Sequence, residues 1–524
     1  MGGHLRTDRE SAVGRPGDTV SADATKATSP GRRLITALAC VLVLSVLIAP
    51  SEVSRLTPAA FIRIPVEGLL GIALVLLLPA RPRRIFAWFG GVTLGLLAIV
   101  KIISLGFSTV LDRSFDPVFD GPLLKSAVVF LRQSSGQGAA ISAVIAAVIA
   151  ALLVLLLVTL SFVRLTRLTT QYRARAASTT ALLGTAWVMF AVTGAQIVPG
   201  VSISAHDYYD SALQVRAAWK DRAVFAAEAA VDAFRDAPGE DMLTALRGKD
   251  VVLTFVESYG RVAIEDPQIA PEINALLDAG DSRLRAAGFT SRSAFLSSPT
   301  AGGGSWLAQS TLLSGLWIDN QQRYRQLTTS DRLTLAGAFQ RADWRTVAVS
   351  PATTMPWPEG AFFGYDRIYA ARDLGYRGPA YSFATMPDQY TLSTFQRSEL
   401  AVPGHPPVMA AISLISSHAP WKPVPRLMAW EDIGDGSVFD AQTGGGDPAE
   451  MVLGRDRNRI RADYRHAIGY SLESLISYVE TYGDDKLVLV FLGDHQPAPV
   501  VTGSDANRDV PITIVARDRK VLDR

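Results

Sequence analysis

The chain has 524 residues, which is too long for one ordinary domain and predicts two to four. Its formal net charge is only +2, so no basic surface argues for a nucleic-acid partner, and its mean hydropathy of +0.21 is high for a soluble protein. The one cysteine, Cys40, excludes an intrachain disulfide, and its place in an apolar run argues against a catalytic thiol.

The amino-terminal 200 residues are predicted to be a polar tail followed by membrane spans. Residues 1–33 show no hydrophobic periodicity and are expected to be a disordered cytoplasmic tail. Residues 34–200 are expected to be a transmembrane domain, because they contain apolar stretches of about the length that crosses a bilayer. There are five of these stretches, at about 34–50, 64–80, 85–106, 139–163 and 178–199. Glu67 and Lys101 fall within or at the ends of spans and are expected near an interface.

The Lys and Arg residues that flank the spans predict the orientation of the chain. The tail and the turns after the second and fourth stretches are rich in Lys and Arg, whereas the alternate loops are poorer. Positive residues stay in the cytoplasm, so the amino terminus is predicted to be cytoplasmic. Five crossings then place everything after about residue 200 outside the cell membrane. No cleavable signal peptide is needed, because the first span follows a long tail.

The rest of the chain is predicted to be a helical linker, 201–246, and an α/β domain, 247–524. Short apolar runs bounded by turns predict its strands: 251–256, 346–349, 408–416, 486–493 and 511–516. Because these runs are apolar on both faces, they favour a central, mostly parallel sheet. Residues with helical spacing lie between the runs, so the sheet is expected to lie between helices.

Three of the predicted strands are followed by residues that bind metals. Glu257 follows the first strand, His418 follows the 408–416 strand, and Asp494 and His495 follow the 486–493 strand. Ligands of open α/β sheets bind at the carboxyl ends of strands, and a mixed oxygen and nitrogen set suits Mn²⁺ or Zn²⁺. Each residue alone is as consistent with a helix cap or with packing. Their joint placement predicts a metal site.

The stretch PTAGGGSWLAQSTLLSG, residues 299–315, offers a candidate nucleophile, Ser305. The three glycines before it permit backbone conformations closed to other residues, and Ser305 is a good N-cap for the helix that follows. A helix amino terminus carries about half a positive charge, which favours an alkoxide, and a divalent cation would favour it further. A Ser-His-Asp triad is the rival, but the G-x-S-x-G elbow is missing. Capping and nucleophilic roles both stay open.

Four motifs occur in a fixed order: ESYG (257–260), TAGGGS (300–305), SSHAPW (416–421) and GDHQP (493–497). The set resembles the lipoteichoic-acid synthase, or phosphoglycerol transferase, family of the sulfatase and alkaline phosphatase superfamily. The layout of five spans and an external domain is also similar, over about residues 30 to 520. The resemblance implies an alkaline-phosphatase/sulfatase-like fold for the external domain.

The resemblance also implies roles for single residues. Glu257, Asp494 and His495 would hold one divalent metal ion, with Mn²⁺ the first choice and Zn²⁺ or Mg²⁺ as alternatives. Ser305 stands where the family has threonine, so it would contact the metal and form a covalent phospho-enzyme. Two residues would bind the substrate: His418 beside the leaving group or phosphate, and Trp357 near a glycerol-phosphate group.

The implied reaction is transfer of a headgroup from a membrane lipid, or attack on an envelope polymer, at the outer membrane face. The first motif has Glu257-Ser258 rather than paired aspartates, which favours one metal ion over two. The relatives continue beyond the point equivalent to Arg524, so a short variant and an incomplete chain are both open.

Three alternatives remain from the sequence. A sulfatase needs a C/S-x-P-x-R signature, and here Leu307 and Gln309 replace its Pro and Arg, which disfavours sulfate-ester hydrolysis. A catalytically inactive envelope-binding protein is the second alternative. A transporter is the third, but five spans are few and the large external domain would be unexplained.

Overall fold

The computed structural model describes residues 30–62, 64–117, 120–193, 220–381, 383–442, 456–504 and 506–523. Most of the predicted tail, the first part of the predicted helical linker and residues 443–455 lie outside the described residues. The first helix begins at Pro30, slightly before the predicted tail boundary.

Five helices occupy the amino-terminal part: α1 (Pro30–Ile48), α2 (Val66–Leu77), α3 (Ala80–Leu111), α4 (Gly121–Gln171) and α5 (Arg173–Thr193). Four stretches are long and apolar enough to cross a membrane: Pro30–Ile48, Pro58–Leu77, Ala80–Leu111 and Gly136–Gln171. By length and composition, they coincide with four of the five predicted spans. The helix α5 coincides with the start of the predicted fifth span but is not among the four, so that span stays a prediction.

Close packing of α3 against α4 forms the centre of the helical region. A Cβ at Gly95 would lie 2.8 Å from Leu155 Cδ1, so this small residue allows the two helices to approach closely. Gly136 interrupts α4 with a φ of 87° and divides it into an amino-terminal segment and the long apolar span.

The two charged residues of the predicted spans lie near helix ends. Lys101 is buried, and its Nζ donates a hydrogen bond to the carbonyl of Ala49 (2.6 Å), just beyond the end of α1. That bond satisfies one of the carbonyls that a helix terminus leaves without a partner. Glu67 lies exposed in the first turn of α2. Lys101 therefore has a structural role in this region.

The α/β domain contains a seven-stranded sheet of order β2-β7-β6-β1-β5-β3-β4. Its strands are β1 (Asp250–Val256), β2 (Thr290–Ser297), β3 (Arg345–Ser350), β4 (Arg367–Ala370), β5 (Val408–Leu414), β6 (Leu487–Gly493) and β7 (Asp509–Ala516). The strands β6, β1, β5, β3 and β4 pair in parallel, whereas β7 pairs antiparallel with both β6 and β2. All five predicted strands are present, and the sheet is mostly parallel as expected.

Helices cover both faces of this sheet. They are α6 (described over 220–230), α7 (Val262–Glu265), α8 (Ala270–Ala286), α9 (Ser305–Ser314), α10 (Gln321–Thr328), α11 (Leu335–Arg341), α12 (Asp388–Phe395), α13 (Arg457–Tyr482), α14 (Pro499–Thr502) and α15 (Arg519–Leu522). Alternate residues of β1 serve the two cores: Val252 packs with α8 and α13, and Leu253 packs with α9 and α11. The carboxyl ends of the central strands therefore open at one rim between the two layers.

Candidate active site

The residues at the carboxyl ends of β1 and β6 converge on one buried cluster. Glu257, Asp494 and His495 each offer one ligand atom, and these atoms lie within 4.8 Å of one another. The strands pair in parallel with Val256 beside Gly493, so the residues that follow them lie next to each other. The structure thus brings together the three residues that were predicted as metal ligands from separate motifs.

Backbone contacts orient two of these side chains toward the cluster. Asp494 Oδ1 accepts hydrogen bonds from the N–H groups of Ser258 (2.8 Å) and His495 (2.7 Å), which leaves Oδ2 facing His495. His495 Nδ1 donates to the carbonyl of Gln496 (2.8 Å). In the neutral imidazole, that bond leaves the lone pair on Nε2, the arrangement that metal-binding histidines show.

Ser258 supports the third ligand, and sequence reasoning gave it no role. Its φ is 57°, a left-handed conformation that is rare for residues other than glycine. In that conformation its Oγ donates to Glu257 Oε1 (2.9 Å), and its carbonyl accepts from the hydroxyl of Tyr464 (2.9 Å). Ser417 Oγ also donates to the carbonyl of Glu257 (2.6 Å). Tyr464 and Ser417 lie far from Glu257 in the sequence. The only sequence signal for these contacts is that Ser258 and Ser417 belong to the ESYG and SSHAPW motifs.

The hydroxyl of Ser305 points into the same cluster. Its Oγ donates to Glu257 Oε2 (2.9 Å) and lies 3.3 Å from His495 Nε2. The predicted N-cap role is wrong: Gly304, with a φ of 85°, is the N-cap of α9, and Ser305 is the first helical residue. Because the hydroxyl does not cap the helix, it remains available at the helix amino terminus, where negative charge is favoured.

The charges of Glu257, Asp494 and His495 strongly affect one another's pKa values. Burial raises the pKa of Asp494 to about 7, and the neighbouring Glu257 carboxylate adds to that rise. Burial also opposes ionisation of Glu257, but the imidazoles of His418 and His495 hold the pKa of this carboxyl well below its usual range. Burial disfavours charge on His495 too, yet Asp494 and Glu257 raise its pKa to about 9. The site therefore attracts positive charge.

The donor set fits a divalent cation. Two buried carboxylates repel one another, and among the described residues their ion-pair partner is the imidazole of His495. Carboxylate oxygens with one neutral imidazole suit Mn²⁺ and Zn²⁺, and a cation among them would relieve the repulsion. Glu257, Asp494 and His495 could hold such an ion, with the Ser305 hydroxyl beside it.

The glycines before Ser305 are required both by the turn of the backbone and by the close approach of the end of α3. Gly302 has a φ of 70°, and a Cβ at this position would overlap the carbonyl of Val110, at the end of α3. Its N–H also donates to the carbonyl of Gln496 (2.8 Å), in the GDHQP motif. The loop that carries the candidate nucleophile is therefore held between a metal-ligand loop and the helical region.

His418 lies beside this cluster and is held in place from several sides. Its Nδ1 donates to the carbonyl of Ala419 (2.7 Å), so its Nε2 edge is left for other groups. The buried carboxylate of Asp388, which sequence reasoning missed, accepts from the N–H groups of Ile415 (2.7 Å) and Ser416 (2.9 Å) just before it. The contacts of the described residues do not join His418 to Ser305 directly.

Trp357 packs in the hydrophobic core on the side of the sheet that α9 and α11 cover. Its Nε1 donates to the hydroxyl of Tyr324 (3.0 Å), and its ring packs against Phe363 with the centroids 5.7 Å apart. Together with Trp306, the neighbour of Ser305, it lines a small cavity between α9 and the sheet. The predicted substrate-binding role of Trp357 stays a prediction.

The positions that decide against a sulfatase signature have structural roles. Leu307 is buried in the core beneath α9, and Gln309 Nε2 donates to Ser413 Oγ on β5 (3.1 Å). A sulfatase needs a proline and an arginine at these two positions. Here both positions hold side chains with other contacts, so the sulfatase signature is missing from them.

No protein-family model and no curated protein matches the chain. Three solved structures that it resembles are the lipoteichoic acid synthase of Listeria monocytogenes, the phosphoglycerol transferase of Streptococcus pyogenes and the soluble domain of lipooligosaccharide phosphoethanolamine transferase A of Neisseria meningitidis. In that order, the identities are 15, 13 and 14% and the TM-scores are 0.36, 0.36 and 0.38. The matches cover 52, 56 and 53% of this chain and 67, 74 and 78% of the others.

A protein of the alkaline phosphatase superfamily from Vibrio parahaemolyticus is also among the similar structures. Since the identities are low and the TM-scores lie below 0.5, the function is inferred from the geometry of the site itself.

Proposed function

We propose that this chain is a membrane-anchored, metal-dependent enzyme that transfers or hydrolyses a phosphodiester headgroup through a covalent intermediate on Ser305. One observation carries the proposal: the Ser305 hydroxyl, at a helix amino terminus, is hydrogen-bonded to Glu257 within the buried set that also contains Asp494 and His495. A hydroxyl next to a candidate cation site is the arrangement that metal-activated nucleophiles use.

In the proposed first step, Ser305 Oγ attacks the phosphorus of the substrate. The Oγ–P bond forms and the bond from phosphorus to the leaving alcohol breaks. Glu257 is held ionised and is a poor proton acceptor, so the proton of Ser305 passes to water. His418, through its Nε2 edge, donates a proton to the leaving oxygen. A bound divalent cation would supply Lewis-acid stabilisation of the phosphate oxygens.

In the second step, a hydroxyl of an acceptor polymer or of water attacks the phosphorus. Its proton returns to His418, the Oγ–P bond breaks, and Ser305 recovers a proton from water. The amino terminus of α9 stabilises negative charge near Ser305 in both steps. The cluster is the same whether the acceptor is an alcohol or water, so transfer and hydrolysis share this chemistry.

The substrate class we propose is a membrane lipid or an envelope polymer that carries a phosphodiester, with Mn²⁺ as the preferred ion. Support comes from the apolar helices of the amino-terminal part and from the motif set. The proposed organisation keeps the limits predicted from the sequence: a tail to residue 33, spans in 34–200, a linker in 201–246 and a catalytic domain in 247–524.

Trapping the intermediate tests the proposal directly. Purified protein is incubated with Mn²⁺ and phosphodiesters that differ in headgroup, namely phosphatidylglycerol, phosphatidylethanolamine and bis(p-nitrophenyl) phosphate. We expect a mass adduct on the peptide that contains Ser305. Ser305→Ala should lose the adduct and at least about 10³-fold in turnover, as nucleophile deletions do. Ser305→Thr should keep a measurable part of both, because it retains a hydroxyl.

The matched control is Ser310→Ala on the same helix, whose hydroxyl donates only to the carbonyl of Trp306. It should retain turnover within about twofold, as expected for loss of one local hydrogen bond. Full turnover by Ser305→Ala would overturn the proposal.

A further inference from the structure

An aromatic contact links the amino-terminal helices to the candidate active site. The imidazole of His418 stacks on the ring of Phe383, with centroids 4.0 Å apart and planes 27° apart. Phe130 lies against both rings, with its centroid 5.5 Å from that of Phe383 and 6.2 Å from that of His418. Phe130 belongs to the segment of α4 that precedes the interruption at Gly136.

This contact limits where the imidazole can point. One edge of His418 is held by the bond from Nδ1 to the carbonyl of Ala419, and one face is covered by Phe383. Aromatic rings at these separations attract one another beyond simple burial. Without Phe130, the Phe383 ring loses its neighbour and the imidazole gains alternative orientations. The direction of the Nε2 edge then becomes less well defined.

The segment that carries Phe130 is itself firmly held. Asp120, the N-cap residue of α4, accepts hydrogen bonds from Arg113 Nη1 (2.6 Å) and Nη2 (2.7 Å) and from the N–H of Asp116 (2.8 Å). Asp120 is buried, whereas Arg113 is partly exposed, and the two side chains form a bidentate, charge-assisted pair. The turn between α3 and α4 therefore presents Phe130 to the α/β domain in a defined position.

A second contact shows that the same end of the helical region also supports the nucleophile loop. Gly302 fits against the carbonyl of Val110, and Leu111 lies next to Gly303. The short helix α14, just after the metal-ligand motif, packs against α3 as well. The end of the helical region where α3 ends and α4 begins, the α3–α4 end, thus contacts three parts of the candidate active site. These are the loop that carries Ser305, the segment after His495 and the imidazole of His418.

We propose that Phe130 is a positioning residue that orients the imidazole of His418 toward the leaving oxygen. The amino-terminal helices would then complete the active site in addition to anchoring it. This inference rests on the proposed function, because it assigns His418 the delivery of a proton to the leaving group.

The test compares leaving groups that differ in their need for a proton. We expect Phe130→Ala to lower kcat about tenfold for a phosphodiester with an alkyl leaving group, a part of the ~10²–10⁴-fold that general acid catalysis contributes. Turnover of bis(p-nitrophenyl) phosphate, whose leaving group departs without a proton, should stay within about twofold. Phe130→Trp keeps a ring at this position and should retain most of the activity on both substrates.

A double-variant cycle separates positioning from general destabilisation. His418→Asn should show the same selective loss on the alkyl substrate, and adding Phe130→Ala to it should cost nothing more, because both changes act through one imidazole. Leu124→Ala, at an exposed position on the same segment, is the matched control and should leave both substrates unaffected. Equal losses on both substrates, or additive losses in the double variant, would overturn the inference.

A measurement that needs no turnover separates this inference from the proposed function. In detergent-solubilised protein with isotope-labelled histidine, the Cε1–H resonance of His418 is identified by its disappearance in His418→Asn. Phe130→Ala should move this resonance through the changed ring currents, and Leu124→Ala should not. If the wild-type protein turns over no phosphodiester, the proposed function fails, and an unmoved resonance then overturns the positioning role as well.

Discussion

The ligand residues make a prediction that does not depend on turnover. Asp494 is buried beside Glu257, so in the metal-free protein the two carboxylates repel and burial disfavours their charges. Asp494→Asn removes one charge and keeps the Oδ1 that accepts two backbone N–H groups. We therefore expect the metal-free variant to be at least as stable as the wild type. Mn²⁺ at 100 times its Kd should stabilise only the wild type, by about 2.7 kcal/mol.

Thermal unfolding in detergent, with chelator or with added Mn²⁺, measures this difference. Asp485→Asn, an exposed residue just before β6, is the matched control and should keep the full response to Mn²⁺. An equal rise in Tm for Asp494→Asn and wild type would show that Mn²⁺ binds elsewhere.

The clustering of the three candidate ligands was predictable from the sequence, whereas the hydrogen bonds that support them were not. Glu257, Asp494 and His495 follow strands that are recognisable as apolar runs, so the sheet rule places them together. Ser258 and Ser417 lie within the ESYG and SSHAPW motifs, but the motifs alone do not reveal which groups their hydroxyls bond. Phe130 is further away still, because no local pattern reveals contact with an imidazole 288 positions along the chain.

At the level of strands and helices, the opposite rim of the sheet is held by an ion pair between a buried glutamate and a partly exposed arginine. Glu399, in the turn of helix after α12, accepts from Arg345 Nε (2.5 Å) and Nη2 (3.0 Å) and from the hydroxyl of Tyr369 (2.6 Å). These contacts tie the start of β3 to β4 and to the end of α12. Burial works against the charge, but the bonds from Arg345 and Tyr369 lower the pKa of Glu399.

When folding lowers the pKa of a carboxyl, that carboxyl stabilises the protein fully at pH values above its pKa in the unfolded state, which is 4.5 for glutamate here. The stabilisation is lost as the pH falls through the pKa of the folded state. Glu399→Gln should therefore reduce the free energy of unfolding by about 1–2 kcal/mol at pH 7, since Arg345 is partly exposed to solvent. The difference should shrink below pH 4.5. Glu265→Gln, at an exposed pair with Arg261, is the control and should change stability little.

Unfolding of the two variants and the wild type between pH 4 and pH 8, followed by tryptophan fluorescence, gives the comparison. A loss in Glu399→Gln that stays constant across this range would contradict the assignment of the lowered pKa. Turnover at pH 7 should be unchanged, because Arg345 lies at the amino end of β3, away from the candidate site.

The sheet also shows which elements a sequence reveals. The five predicted strands are continuous apolar runs; β1, β3, β5 and β6 are buried along most of their length, and β7 is buried along half of its length. The strand β2, TSRSAFLS, lies at the edge and is largely exposed, so it lacks an apolar run; β4 has only four residues. Edge and very short strands gain their pairing from neighbours distant in sequence, and local hydrophobicity therefore does not predict them.

At the scale of the whole molecule, the contacts of the α/β domain with the helical region indicate how many times the chain crosses the membrane. The domain contacts Val110, at the end of α3, and Phe130, near the start of α4, so it lies at the α3–α4 end of the helical region. The long span of α4 then leads away from that end to Gln171. The chain must return to the same end before β1 begins, and α5, with 21 residues, is long enough to do so. We therefore expect α5 to be the fifth span, although its hydropathy is modest.

Cysteine labelling decides this point, because the chain has one native cysteine to remove. In a Cys40→Ser background, a cysteine replaces either Arg175, in the first turn of α5, or Arg292, on the exposed edge strand β2. If α5 crosses the membrane, the two positions lie on opposite sides. With the α/β domain outside, a membrane-impermeant maleimide should label Arg292→Cys in intact cells, and Arg175→Cys only after permeabilisation. Labelling of both positions from one side would show that α5 does not cross, and the chain would then have to reach the α3–α4 end by another path.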